Sequence, residues 1–178
     1  MYKTNRSFKP YLRNEFGRQC VYCRKPDGFD PSGFGVDHYK PKEHFRLLEF
    51  DYSNLFYCCN RCNSFKSDYW DDQIRIPNPC DDIMFEHLGY KGEVVEVRRN
   101  SKRGERAVEI LDLNGPEATE VRGSMHALVA AAEVQLKELG WQRSEALSES
   151  WDIVDIDSID EQVYKLETSL ELLCATVG

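Results

Sequence analysis

Residues 51–68 read DYSNLFYCCNRCNSFKSD, and within them the spacing Cys59-Asn60-Arg61-Cys62 decides how the chain folds. Two cysteines separated by two residues form a tight turn that aims both thiolates at one point. The same spacing occurs upstream in Cys20-Val21-Tyr22-Cys23, with 35 residues between the two pairs. Two such turns supply the four thiolates of a closed tetrahedral Zn²⁺ site. Cys58 adjoins Cys59 and could replace it in that shell. Because Cys59 repeats the spacing of the first pair, Cys58 is instead expected in the core. Cys80 and Cys174 stand alone and are assigned no role.

A disulfide framework is the competing use of seven cysteines. No apolar run approaches the roughly 18 residues of a membrane span, and the start, MYKTNRSFKPYLRNEF, lacks the apolar stretch of a signal peptide. The expected location is therefore the cytoplasm, where a reducing environment favours metal ligation or buried thiols. No membrane association is expected.

Between the two cysteine pairs, GFGVDHYKPKEHF at residues 33–45 reads as a short strand through Phe34 and Val36 to Asp37-His38, followed by a strand or turn broken at Pro41. Asn54 then precedes the apolar run Leu55 to Tyr57, and Asn63 directly follows the last cysteine of the second pair. A helix is expected to start near Asn63, with Arg61, Ser64, Phe65 and Lys66 in its first turns. The resulting order is strand, strand, helix.

In this order and spacing, CVYC, the DHYKP block, the Asn54-Leu55 pair and the CNRCN-x2-K block resemble the HNH endonucleases of the ββα-metal type, in their zinc-stapled form. The resemblance spans Cys20 to about Asp68, 49 of the 178 residues. It implies an α+β fold: a zinc-stapled ββα-metal core with an additional strand and loop segment and C-terminal α-helices. It also implies that His38 is the general base that takes a proton from the attacking water. Asp37 and Asn63 would hold a divalent cation, and Asn54 would brace the loop through backbone hydrogen bonds. Many members carry His where this chain has Asn63; Asn at this position is a common variant and leaves the preferred metal open.

The chemistry of these residue types agrees with those roles. A carboxylate and an amide oxygen form a hard pair suited to Mg²⁺, with Mn²⁺ as a substitute. Imidazole is the side chain suited to accepting a proton near neutral pH. Four thiolates around Zn²⁺ leave no open position, so that metal serves as scaffold. Lys40, Lys42, Arg61 and Lys66 flank the proposed ligands and are the candidate phosphate contacts, with Arg24 and Lys25 as further candidates. Nothing in the sequence resembles an element built to read base edges. The competing function is a non-catalytic zinc-stapled module that binds nucleic acid or protein. Asp37-His38 with Asn63 argues against it, because a binding module needs no base beside a hard-metal pair. The expected substrate is DNA, with an RNA-cleaving nuclease as the alternative.

Composition bounds the rest. A chain of 178 residues with 41% hydrophobic and 12% aromatic residues can bury a real core, which excludes disordered and fibrous classes. The net charge of -8 conceals two regions. Residues 1–70 carry 12 Lys+Arg against 8 Asp+Glu, whereas residues 71–178 carry 11 against 23. The front of the molecule can therefore face a polyanion although the whole chain is acidic.

Two regions are expected: a nuclease core over residues 1–75 and a mainly helical region over 76–178 that packs on the core or docks a partner. Within the second region, IPNPC is a turn-rich linker and GEVVEVRR is strand-like. RRNSKRGER, with five cations in nine residues, reads as a loop that is either solvated or extends the phosphate-binding surface. Helices are expected over Gly104 to Leu113, over Glu117 to Leu139 with Gly140 as a stop, and from Ser158 to Thr176 with a Ser158/Glu161 capping box. SESWDIVDIDSIDE, containing Trp151, is expected to be irregular.

The segments PNPCDD at residues 77–82, RAVEILDLN at 106–114 and the following Val121-Arg122 resemble HNH proteins encoded beside bacterial anti-phage defence ATPases, such as the nuclease subunit of Septu-type systems. That resemblance implies an ATPase partner for sensing, while the acidic C-terminal helices also suit self-association.

Overall fold

The computed structural model describes residues 5–29, 32–149 and 153–177. An N-terminal helix, α1 (Lys9–Glu15), buries Leu12 and carries Pro at its start, where the missing N–H costs nothing. The first cysteine pair follows in a knuckle, closed by Cys20 N–H to Lys25 O at 2.9 Å and Arg24 N–H to Cys20 O at 2.9 Å. Strand β1 (Phe34–His38) then pairs antiparallel with β2 (Leu55–Cys59), matching Phe34 with Cys59 and His38 with Leu55. All five residues of β2 are buried, as a short continuous apolar run requires. Phe56 lies at the centre, with the rings of Phe16, Tyr22 and Tyr39 at 5.7, 6.4 and 5.6 Å.

β2 passes directly into helix α2 (Asn60–Lys66), so the second strand of the motif is the run after Asn54. Residues 39–45 form turns, and the helix begins three residues before the expected start at Asn63. Cys59 explains the early start. Its extended backbone closes the strand, while its Sγ accepts the Cys62 N–H at 3.4 Å, as an N-cap does.

The chain next forms a hairpin of β3 (Leu88–Lys91) and β4 (Val94–Val97) and then helix α3 (Lys102–Ile110). Asn114 serves as a substitute strand edge, its side chain bonding Val95 N–H at 2.8 Å and Val95 O at 2.9 Å. The basic stretch 98–106 is therefore only briefly a turn. Ser101 caps α3 by accepting the Gly104 N–H at 3.0 Å, and the cations pair within the protein: Arg99 with Glu86, Lys102 with Glu105, Arg103 with Asp82 and Arg106 with Glu109. Gly104 is required by close packing, since a Cβ there would sit 2.5 Å from His87 O.

Helix α4 (Pro116–Ser148) runs through Gly140, which does not stop it, and α5 (Ile153–Val177) starts before Ser158, which lies inside the helix rather than capping it. Part of the stretch expected to be irregular is therefore helical, while Trp151 lies outside the described residues. The chain divides into two compact units, Met1–Arg122 and Gly123–Gly178. That division falls well beyond residue 75, because Ile76, Val95, Ala107, Leu111 and Leu113 share one core with the cysteine pairs and β2. In the second unit Leu139, Ala146 and Ile159 are buried together, with Ile156, Val163 and Leu166 packed against them. Among the described residues no helix is long and apolar enough to cross a membrane.

The Pro77–Asp82 turn is fixed by Arg103, whose guanidinium donates to Asp82 Oδ1 at 2.9 Å and Oδ2 at 2.5 Å and to Ile76 O at 3.3 Å. Burial pushes the Asp82 carboxyl up, but the Arg103 guanidinium and the Asn78 N–H outweigh it and hold the group below its ordinary value. The pair therefore contributes fully above the ordinary carboxylate range and fades as pH falls through the lowered value. Arg103→Met should cost about 1–3 kcal/mol of unfolding free energy at neutral pH. In chemical denaturation the gap from the parent chain should narrow as pH falls below the ordinary carboxylate range; a gap independent of pH would contradict the pairing.

Candidate metal centres and active site

The two cysteine turns meet. The Sγ atoms of Cys20, Cys23, Cys59 and Cys62 all lie within 4.8 Å of one another and are buried. The Cys23 and Cys59 sulfurs are 3.8 Å apart. Zn–S bonds of about 2.3 Å at tetrahedral angles put sulfurs about 3.8 Å apart, the Cys23–Cys59 separation, so four buried thiols gathered this closely fit Zn²⁺. Contacts from Cys20, Cys23 and Cys62 hold the Cys59 thiol far below its ordinary value, while burial pushes Cys20 up. Metal binding at four such thiols releases protons. Cys58 is fully buried on β2 outside the cluster, and burial keeps its thiol neutral.

β1 carries the second constellation. Gly35 and Asp37, two residues apart, share one face of the strand. Helix α2 packs against that face. A Cβ on Gly35 would lie 3.3 Å from the Asn60 side chain and 3.9 Å from that of Asn63, and Lys66, one turn beyond Asn63, reaches Asp37. Asp37 and Asn63 therefore stand on the two sides of one strand–helix interface. Asp37 is 4% exposed, and its carboxylate accepts the Tyr22 hydroxyl at 2.6 Å. Burial, and then the Asp37 charge, push the Tyr22 phenol well above its ordinary value, which keeps it a donor. The Lys66 ammonium lies 3.0 Å from both carboxylate oxygens. The Asp37 carboxylate thus already holds a cation, and with the Asn63 amide on the facing helix the donor types at this interface are those a hard divalent ion takes.

His38 is the next residue along the strand. Its Nε2 is 3.0 Å from the backbone oxygen of Glu49. A carbonyl can only accept, so in the neutral ring Nε2 carries the hydrogen and Nδ1 is the basic nitrogen. Asn54 is 5% exposed and fixes the connecting loop: Oδ1 accepts Lys40 N–H at 2.8 Å, and Nδ2 donates to Lys40 O at 3.0 Å and Leu48 O at 3.3 Å. The same loop delivers the Glu49 carbonyl to His38.

The phosphate candidates separate by burial. Lys42 is exposed, and Lys40 is half-buried with its ammonium 5.6 Å from the ring centres of Phe45 and Trp70. Lys66 is 1% exposed and held by Asp37 and His38 O, so it does not face a ligand. Arg61 points away as well, paired with Asp112 and 3.4 Å from Glu117. Lys25 is buried 3.7 Å from Glu117, while Arg24 is exposed. Sequence reasoning missed Tyr22 as a partner of Asp37. It also missed the turn of Lys66 toward the strand, although three-residue spacing from Asn63 puts both on one helix face.

The cluster and the strand–helix interface should separate experimentally. Cys59→Ser should lose bound zinc and its cooperative melting transition, whereas His38→Ala should keep one zinc per chain and melt close to the parent chain. Equal melting behaviour with equal zinc content in both variants would contradict the division between scaffold and site.

Comparison with known proteins matches residues 20–68 to the HNH endonuclease family. Two curated relatives are named Septu protein PtuB. One, from Bacillus mycoides (strain KBAB4), is 26% identical over 164 residues, covering 75% of this chain and 54% of its own length. The other, from Bacillus thuringiensis, is 26% identical over 110 residues, covering 60% and 42%. The chain thus spans about half the length of the curated relatives it matches. The segment that brings the four cysteines together and sets Asp37 against helix α2 is the one that matches the HNH endonuclease family.

Proposed function

We propose that the chain is a metal-dependent nuclease that hydrolyses phosphodiester bonds in DNA, with His38 as general base and Asp37 and Asn63 as ligands of Mg²⁺ or Mn²⁺. The observation that carries this reading is the hydrogen bond from His38 Nε2 to the Glu49 carbonyl, made at the end of the strand whose preceding residue is a cation-bearing carboxylate. A ring fixed in that tautomer presents Nδ1 as the proton acceptor. Nδ1 takes a proton from a water, the water oxygen forms the new bond to phosphorus, and the bond to the leaving oxygen breaks. A hard divalent ion at Asp37 and Asn63 supplies charge neutralisation at the phosphate and its leaving oxygen.

Asn54 keeps the loop closed on His38 by holding both backbone groups of Lys40. Lys40, half-buried, and Lys42, exposed, are on the same loop and would contact the phosphate backbone. The four-cysteine site, with Zn²⁺ bound, holds the knuckle and α2 in register and does no chemistry. The likeness to Septu proteins supports a place in a cytoplasmic anti-phage defence system, where an ATPase partner senses infection and this chain cuts.

Supercoiled plasmid and structured RNA, each incubated with the purified chain and Mg²⁺, Mn²⁺ or EDTA, test the reading. The plasmid should be nicked or linearised with either metal and spared with EDTA, and His38→Ala should lower the rate at least 100-fold while staying folded. Full activity of His38→Ala would overturn the assignment of the base, and cleavage confined to RNA would overturn the choice of DNA.

A further inference from the structure

The Lys66 ammonium is 1% exposed, lies 3.0 Å from both oxygens of Asp37, and also donates to His38 O at 2.6 Å. A cation equidistant from two carboxylate oxygens occupies the seat a bidentate metal would take. The arrangement also answers a folding problem, since an unpaired carboxylate at 4% exposure would be costly and Lys66 neutralises it without any metal. Tyr22 donates to the same carboxylate but brings no charge.

We propose that Lys66 competes with the divalent ion for Asp37, so that the metal-free chain holds its own site shut with a built-in cation. This rests on reading Asp37 as a metal ligand. A divalent ion arriving at the carboxylate meets a positive charge within contact distance, and one of the two must yield the seat. Lys66 can yield it and keep an anchor, because its bond to the His38 carbonyl does not involve Asp37. Leaving the carboxylate still costs it a buried ion pair, which lowers the affinity of the site for metal alone. A phosphodiester brings negative charge to the divalent ion, so the site loads best when substrate is present.

The test measures metal binding with no nucleic acid present, using Mn²⁺ by electron paramagnetic resonance of the free ion and Mg²⁺ by calorimetry. The full-length chain is compared with Lys66→Met, Lys66→Arg, Tyr22→Phe and Asp37→Ala, each checked for zinc content and melting. Lys66→Met should bind Mn²⁺ at least tenfold more tightly than the parent chain. Lys66→Arg, which keeps the charge, and Tyr22→Phe, which removes only a neutral donor, should change affinity less than threefold. Unchanged or weaker binding by a folded Lys66→Met overturns the competition while leaving Asp37 as a ligand. Parent-level binding retained in Asp37→Ala overturns the ligand assignment itself.

If Lys66→Met fails to fold, the parent chain decides. The Lys66 Nζ resonance, assigned by its loss in Lys66→Arg, should shift with Mg²⁺ and saturate at the calorimetric Kd. A resonance unmoved at saturating Mg²⁺ overturns the proposal.

Discussion

The gathering of four cysteine sulfurs into one buried cluster is the constraint on which the rest of the first unit depends. Neither cysteine turn is self-sufficient: the knuckle is a tight loop with Arg24 at positive φ, and α2 is only seven residues long. Short helices and isolated two-stranded hairpins are marginal in water. Joining Cys20 and Cys23 to Cys59 and Cys62 fixes where β2 ends and α2 begins, and with it the angle at which the helix crosses β1. Tyr22, lying between the first two cysteines, is carried by the same constraint onto Asp37.

The site depends on that crossing. Asp37 belongs to a strand and Lys66 to a helix, and they meet because β2 and α2 are one continuous segment anchored at Cys59. His38 is positioned from the other direction, through a loop whose return is enforced by the three hydrogen bonds of Asn54. The strand–helix junction at the cysteine cluster thus sets the carboxylate, and a hydrogen-bonded loop sets the imidazole. Each acts through backbone geometry more than through bulk hydrophobic packing.

Much of this was legible in the sequence because it depends on local spacing. Two C-x2-C pairs foretell a tetrahedral cluster, whereas the second strand was expected before Pro41 and the apolar run after Asn54 did not read as that strand. What could not be read was the direction of long charged side chains. Arg61 and Lys66 read as solvent-facing cations, yet tertiary partners Asp112 and Asp37 draw both inward. The stretch 98–106 read as a basic loop, because the acidic partners that neutralise it, Glu86 and Asp82 among them, lie outside its own window. Gly140 read as a stop, but the helical residues on either side of it continue as one helix. Leu88 to Lys91 carried too weak an alternation to be seen as a strand until paired with Val94 to Val97.

The central claim is that one small scaffold separates two metals by chemistry, soft thiolates for the staple and hard oxygens for the reaction. Anomalous diffraction from crystals of the His38→Ala chain grown with Mn²⁺ and a short DNA duplex tests it most directly. The account predicts a zinc signal at the centre of Cys20, Cys23, Cys59 and Cys62, and a separate manganese signal within bonding distance of Asp37 and Asn63. A manganese signal elsewhere, with the Lys66 ammonium still seated on Asp37 and DNA bound, would contradict it.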